Sequence, residues 1–127
     1  MFSARSLSLV LLTLTLLACS TNTVEIVSVS PEGEVPLLAT LEIEFSKDLA
    51  PPEKQNQWLD DAFVEFTPAV QGKFKWVSAR KLLFSPDYPL EPIQEYEAEV
   101  SDKVLFGSGY DTDFETISFR TPAFDVV

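Results

Sequence analysis

The stretch that decides the fold is residues 40–46, Thr-Leu-Glu-Ile-Glu-Phe-Ser, in which polar and apolar side chains alternate without a break. Leu41, Ile43 and Phe45 fall on one side of an extended chain, and the two intervening glutamates fall on the other. A period of two with a single polar face predicts a strand of an antiparallel sheet that is covered on one side only.

Six further stretches indicate strands, because they alternate in the same way or are rich in β-branched and aromatic residues. In residues 72–77, Phe74 and Trp76 are expected inside, while Lys73 and Lys75 face water. The other predicted strands are residues 24–29, 63–67, 81–85, 95–100 and 115–121. About seven strands without helical periodicity longer than a turn predict an all-β fold, an immunoglobulin-like antiparallel β-sandwich. A small barrel of similar strand count stays open as the alternative.

The segment 47–61 interrupts the strand pattern, since Pro51 and Pro52 do not allow a strand to continue. It predicts a long connection with one helical turn, in which Trp58 packs against the sandwich. Residues 78–80 are predicted as a hairpin connection, and residues 107–111 as a loop.

Charge constrains how the predicted strands are arranged. Glutamates form acidic rows in the strands 40–46 and 95–100, and Lys73 and Lys75 form the one basic row. Like charges that lie opposite each other on a sheet destabilise it. We therefore expect the strand 72–77 to share a sheet face with an acidic strand, and the two acidic strands not to pair directly. The side chains expected between the sheets include Phe45, Trp76, Phe84 and Tyr96.

The N-terminal residues 1–18 have the composition of a secretory signal, with Arg5 ahead of a run of leucine, valine and alanine. Serine and threonine dilute this run, so a cleaved signal is preferred to a transmembrane helix, which needs ~20 predominantly apolar residues. Leu16, Leu17, Ala18 and Cys19 resemble the lipobox of bacterial lipoproteins. The resemblance implies cleavage between Ala18 and Cys19 and acylation of Cys19. Residues 19–23 are then a tether, and residues 24–127 the domain.

Composition excludes several classes of function. The sequence has no histidine, and its single cysteine is Cys19, which excludes a histidine-dependent triad, a Cys–His pair and a His/Cys zinc site. Loss of Arg5 with the signal leaves eight basic against twenty acidic side chains, a formal charge of −12. A field of that sign repels nucleic acid phosphates. We therefore expect no enzyme activity, no cofactor and no nucleic-acid partner.

Asp111, Asp113 and Glu115 alternate after a Gly-Ser-Gly turn and offer carboxylate oxygens to a calcium ion. They lack the longer ligand series and the terminal glutamate of an EF-hand loop, so a solvated acidic loop is the preferred interpretation and no metal site is predicted. Paired carboxylates are also the machinery of glycosidases. The glutamates of residues 95–100 are instead interpreted as a solvated sheet face, because no second chemical group supports them.

Several turn and core motifs are together similar to bacterial Ig-like domains. They are Ser30-Pro31, Val35-Pro36, residues 41–46, residues 66–68, Gly72, Trp76, residues 82–86, Leu90, Pro92 and Tyr96. Directly behind a lipobox, the combination resembles the N-terminal domain of bacterial alpha-2-macroglobulin lipoproteins, over residues 27–121. That family consists of long, multi-domain protease traps with a bait region and, often, a Cys-x-Glu-Gln thioester. This chain has neither, so the resemblance implies no trapping chemistry here.

The resemblance implies a non-catalytic, lipid-anchored domain of the cell envelope that spaces or docks a larger assembly. Its partners would be the membrane, through the acyl chains, and proteins or further domains. The alternative is a stand-alone lipoprotein that presents loops to a protein or glycan ligand. Ser20 is not the aspartate that retains many lipoproteins in the inner membrane, so the outer membrane is favoured. Val126 and Val127 resemble the start of a further strand, which favours a longer protein.

Overall fold

Residues 22–123 are described by the structure, a computed structural model, and they form nine β-strands and two short 3₁₀ helices. The strands are β1 Thr23–Ser30, β2 Leu41–Phe45, β3 Trp58–Leu59, β4 Val64–Thr67, β5 Gly72–Trp76, β6 Lys81–Pro86, β7 Glu95–Val100, β8 Asp111–Asp113 and β9 Ile117–Arg120. The 3₁₀ helices cover Pro52–Lys54 and Asp102–Leu105. Neither helix has the length and apolar character needed to cross a membrane.

The strands form a six-stranded sheet of order β3-β5-β6-β2-β1-β8 and a three-stranded sheet of order β4-β7-β9. All paired neighbours are antiparallel except β1 and β8, which are parallel. The apolar faces of the two sheets enclose one core, which confirms the predicted all-β, immunoglobulin-like sandwich and excludes a closed barrel. All seven predicted strands are present, and the short strands β3 and β8 are additional to them.

The core contains the side chains that the alternating patterns placed inside. Phe45, Trp76, Phe84 and Tyr96 are all buried, as predicted. Trp76 is at the centre of an aromatic group, with ring centroids 5.7 Å from Phe45 and 5.8 Å from both Phe63 and Phe106. Its indole N–H is buried and has no hydrogen-bond partner among the residues that the structure describes.

Gly72 begins β5 at a point where the neighbouring strand approaches closely. A Cβ atom at this position would lie 2.4 Å from the carbonyl oxygen of Ser85 and 2.6 Å from the ring of Phe84. That ring is enclosed by Phe66 and Phe74, at centroid distances of 4.6 and 4.8 Å. The close approach of β6 therefore requires glycine here for reasons of space.

A β-bulge divides β1 into two halves. Ile26 pairs with Phe45 of β2 and Ser28 pairs with Glu44, so Val27 is an extra residue in β1. The extra residue reverses the alternation, which turns Val27 outward and lets Val29 pack against the core.

The long connection after β2 contains one helical turn, Pro52–Lys54, as predicted. The N–H groups of Leu49 and Ala50 donate to the carbonyl oxygen of Ala79 at 2.8 and 3.1 Å, which fixes the connection to the predicted hairpin turn at 78–80. The prediction that Trp58 packs against the sandwich was wrong. Trp58 is 48% exposed on the edge strand β3, where the ammonium of Lys75 lies 5.2 Å from the centroid of its indole.

The strands are arranged by charge largely as predicted. β5, which carries the lysine row, shares the six-stranded sheet with the acidic strand β2, and the acidic strand β7 lies in the other sheet. The cation nearest to Glu42 is Lys81 of β6, with Nζ 3.7 Å from Oε1. One acidic contact was not foreseen, because Glu65 of β4 lies directly opposite Glu99 of β7.

The chain enters and leaves the sandwich at opposite ends. The entry pole is formed by Thr23 and the segments 46–57, 77–80 and 101–110. The exit pole is formed by Arg120 and the segments 31–40, 68–71, 87–94 and 121–123. Arg120 lies beside the end of β1, because its N–H donates to Gly33 and its C=O accepts from Val35. The eight residues of β1 extend over roughly 26 Å, at ~3.3 Å per residue.

Candidate interaction surfaces

The three acidic residues weighed as calcium ligands, Asp111, Asp113 and Glu115, are not brought together as one group in the described domain. Asp111 and Asp113 belong to strand β8 and not to a loop, because β8 pairs with Thr23–Glu25 of β1 in parallel. Among residues 22–123, no three histidine, cysteine, aspartate or glutamate side chains come together as metal ligands. Asp113 and Glu115 do share a surface groove, which Asp111 does not line. The structure therefore brings together two of the three predicted residues, around a different feature.

We call this feature the β1–β9 groove, an open depression of about 490 Å³ between β1 of the larger sheet and β9 of the smaller one. It exists because β1 and β8 extend the larger sheet on the side where β9 ends the smaller one. Side chains of the core form its apolar wall, and they are Ile26, Val29, Leu41, Ile117 and Phe119. The groove therefore exposes part of the sandwich interior.

A free strand edge borders the groove. Arg120 directs its N–H and C=O away from β7, toward Gly33 and Val35. Opposite residues in an antiparallel ladder alternate between hydrogen-bonded and non-hydrogen-bonded pairs. Ser118 lies two residues before Arg120, opposite Glu97, so it also directs its N–H and C=O away from β7. Within residues 22–123 no hydrogen-bond partner meets Ser118 on that side. One backbone donor and one acceptor thus face the groove unpaired.

The second strand of the groove also has an open edge. β8 pairs only with Thr23–Glu25, so the rest of β1 has no neighbouring strand on its β8 side among the described residues. The groove therefore lies between two backbone edges, over an apolar wall that is continuous with the core.

The charged side chains that line the groove are all acidic. They are Glu25, Glu32, Asp113 and Glu115, and each belongs to an exposed residue. Lysine and arginine are absent from the lining, so the four carboxylates are not neutralised within the groove.

The outer face of the three-stranded sheet is a second acidic surface. Glu65 and Glu99 lie side by side on it, and Glu97 is opposite Thr67 and Ser118. Arg120, opposite Glu95, is the basic residue of this sheet's paired strands. The row of Glu95, Glu97 and Glu99 is exposed, as predicted for a solvated sheet face.

The exit pole carries the most exposed large apolar side chains of the described domain. Leu38, Tyr88 and Ile93 are 74%, 71% and 77% exposed. Ile93 also has a positive φ of 51°, a conformation that β-branched residues rarely adopt.

Thr121 fixes the neighbouring loop, because its hydroxyl accepts from the N–H of Gln94 at 2.9 Å and donates to the carbonyl oxygen of Glu91 at 2.6 Å.

The predicted lipidation site, Cys19, and the predicted cleavage site between Ala18 and Cys19 lie outside the described residues, as do Val126 and Val127. They stay predictions from the sequence. β1 begins at Thr23, four residues after Cys19.

Comparison with known proteins gives one distant relative in sequence and several in fold. No family model matches the chain. An alpha-2-macroglobulin homolog of Yersinia pestis is 26% identical over 97 residues, which are 76% of this chain and 5% of that protein. The chain therefore spans only a small part of the length of this relative.

Solved structures of L,D-transpeptidases have a similar fold. L,D-transpeptidase 3 from Mycobacterium tuberculosis, in complex with a faropenem-derived adduct, aligns with a TM-score of 0.50 at 21% identity, over 77% of this chain and 37% of that one. An L,D-transpeptidase from Mycobacterium smegmatis aligns with a TM-score of 0.54 at 16% identity, over 78% and 40%. At such identities the likeness shows the fold alone. The chain thus contains an immunoglobulin-like β-sandwich with distant sequence similarity to part of an alpha-2-macroglobulin homolog.

Proposed function

We propose that this chain is a lipid-anchored, non-catalytic module of the bacterial cell envelope that holds a larger macroglobulin-type protein, or a partner protein, away from the membrane. The lipobox-like Leu16–Cys19 stretch supports the anchor, and the similarity to the Yersinia pestis protein supports the type of assembly. The outer membrane is favoured because Ser20, and not aspartate, follows Cys19.

The observation that carries the proposal is that the described domain begins at one pole and ends at the opposite pole. Because the chain enters the sandwich at one pole and leaves it at the other, a membrane at the entry pole and a protein at the exit pole would be held apart by the length of the sandwich. β1 alone accounts for roughly 26 Å of this separation. With acyl chains on Cys19, the entry pole would face the membrane, and the exit pole, with Leu38, Tyr88 and Ile93, would face whatever is attached beyond it.

Two further features support a binding role over a catalytic one. The chain has no histidine and a single cysteine, which the anchor would use. The acidic side chains of the described residues do not converge as metal ligands. The exposed apolar side chains of the exit pole and the apolar wall of the groove are features of protein contact surfaces.

Cell fractionation tests the anchor. We expect mass spectrometry to find acyl chains on Cys19, and Cys19→Ala to release the protein from membranes or to block its processing. Ser20→Ala is the matched control and should remain in the membrane fraction. An unmodified N-terminus at another residue would contradict the proposed anchor.

Energy transfer tests the spacing. Because acylation occupies Cys19, a cysteine introduced by Ser108→Cys at the entry pole, or by Asp87→Cys at the exit pole, provides the one site for a fluorescent label. On vesicles that contain an acceptor dye, the label at position 108 should transfer energy more efficiently than the label at position 87. Equal transfer from both positions would argue against a spacer held upright by its entry pole.

A further inference from the structure

We propose that the β1–β9 groove binds an extended peptide whose side chains alternate between apolar and basic, and that this peptide adds as a strand to the free edge of β9. The inference goes beyond the anchoring and spacing roles proposed above, and a failure of either role would leave it standing.

The backbone of β9 provides the first part of the argument. An unpaired N–H and C=O at a strand edge are a template for another strand, and Ser118 presents both toward the groove. The chain already uses this edge once, because Gly33 and Val35 bond to Arg120 from the same side, in a parallel bridge. Added strands in other proteins bind in this way, with main-chain hydrogen bonds giving affinity and side-chain pockets giving specificity.

The wall of the groove provides the second part. A strand beside β9 would lie ~4.8 Å from it and would cover the part of β1 that extends beyond the smaller sheet. Alternate side chains of that strand would point toward Ile26, Val29 and Leu41, which are apolar. Every second side chain of the peptide should therefore be apolar and of moderate size.

The rim of the groove indicates the charge of the remaining side chains of the peptide, those that do not face the apolar wall. Side chains of an added strand that do not face the wall lie nearest to the rim, where Glu25, Glu32, Asp113 and Glu115 are located. Four carboxylates in a groove whose lining contains no lysine or arginine repel an acidic strand and attract a basic one. Acidic residues also protect a free edge from indiscriminate pairing, so the same side chains would select for lysine- or arginine-bearing partners.

The test uses the full processed chain in a non-ionic detergent and a blocked peptide of about seven residues, close to the usual strand length, that alternates valine and lysine. Titration followed by amide NMR should show changes concentrated in β9 and β1, with Ser118 among them. A peptide that alternates valine and glutamate should not bind. Absence of any change at about millimolar concentration of the lysine peptide, the weak limit of specific binding, would overturn the proposal.

Charge variants separate groove recognition from general attraction to an acidic protein. Asp113→Lys with Glu115→Lys should weaken binding by about tenfold, since two attractive contacts become repulsive. The matched control is Glu65→Lys with Glu99→Lys, which makes the same change of charge on the outer face of the smaller sheet, between β4 and β7, and should change affinity by less than about twofold. Equal weakening by both pairs would refute a specific site.

Backbone variants test the strand addition itself. Ser118→Pro removes an N–H that the ladder with β7 does not use, so the fold is expected to remain and binding to be lost. Ser118→Ala keeps the N–H and should bind like the original chain. If Ser118→Pro does not fold, a lysine peptide with N-methyl groups at alternate residues makes the same test, since it removes donors from the peptide. Binding that survives N-methylation in both registers would refute the proposal.

Discussion

Replacement of Gly72 by alanine should destabilise the sandwich, although most glycine-to-alanine changes in a strand do the opposite. The added Cβ would lie 2.4 Å from the carbonyl oxygen of Ser85 and 2.6 Å from two ring atoms of Phe84. Neither obstacle can move freely. The carbonyl belongs to β6, and the ring is enclosed by Phe66 and Phe74, at centroid distances of 4.6 and 4.8 Å.

The size of the effect follows from two opposing contributions. An extra methyl group in a filled core costs ~1–3 kcal/mol, while the lower backbone entropy of unfolded alanine returns ~0.4–1 kcal/mol. Because the closest atom is a backbone oxygen, we expect the upper part of that range and a net loss of about 2 kcal/mol. A domain of this size loses ~4–8 °C per kcal/mol, so the midpoint of unfolding should fall by about 10 °C.

Urea and thermal unfolding, followed by circular dichroism, measure this loss. The control is the same substitution in a Phe84→Leu background, where the two ring atoms are absent and the carbonyl contact remains. In that background Gly72→Ala should cost roughly half as much, and the difference is the coupling between the two positions. A neutral or stabilising Gly72→Ala, or an equal cost in both backgrounds, would show that close approach of β6 is not the reason for glycine.

Three further substitutions test the core, the charges and the exit pole. Trp76→Ala should cost ~3–5 kcal/mol in the free energy of unfolding, because it empties the centre of the aromatic group. Glu99→Lys should stabilise the fold by a few tenths to ~1 kcal/mol, since it replaces the repulsion from Glu65 opposite by attraction, whereas Glu97→Lys, which faces no acidic partner across the strands, should gain less. Thr121→Val should cost ~1–3 kcal/mol, because it removes two part-buried hydrogen bonds to the neighbouring loop, each worth ~0.5–1.5 kcal/mol.

Each of these three predictions has a control variant and an outcome that would contradict it. Val27→Ala, on the exposed bulge of β1, should change stability by less than ~0.5 kcal/mol; an equally small effect at Trp76 would mean that the inner face of β5 has been misassigned. The gain from Glu99→Lys should shrink in high salt, and equal gains from Glu97→Lys would reflect net charge alone. Thr116→Val, on an exposed residue, should be nearly neutral, and a neutral Thr121→Val would show that its hydroxyl bonds do not stabilise the loop.

The strands that could be predicted from the sequence are those in which one face is covered. In β2 and β7 the inward side chains alternate with glutamates, so the period alone distinguishes core from surface. The hairpin at 78–80 was predictable for a related reason, since two such strands flank a polar connection. Lysine and glutamate rows also predicted that β5 shares a sheet face with a glutamate-bearing strand. That strand is β2, although the cation nearest Glu42 belongs to Lys81.

The features that could not be predicted depend on contacts distant in sequence. β8 has the sequence Asp-Thr-Asp, which has little intrinsic tendency to form a strand, and it is ordered by parallel pairing with β1, about ninety positions earlier. Trp58 was expected to pack the long connection against the sandwich, yet its short strand lies at a sheet edge where the ammonium of Lys75 lies over the indole ring. The groove itself results from unequal sheets, which local alternation does not encode.

Because the described domain begins and ends at opposite poles, its strands would respond to a pulling force in a specific way. Tension along the chain would act on Thr23 in one direction and on Arg120 in the other, nearly parallel to β1 and β9. Each terminal strand would then slide along its neighbour, and all hydrogen bonds of the ladder would share the load, instead of opening one after another. Resistance to force depends on the unfolding barrier and not on equilibrium stability. A module between a membrane and a larger assembly would thus be loaded in the direction in which its sheets are mechanically strongest.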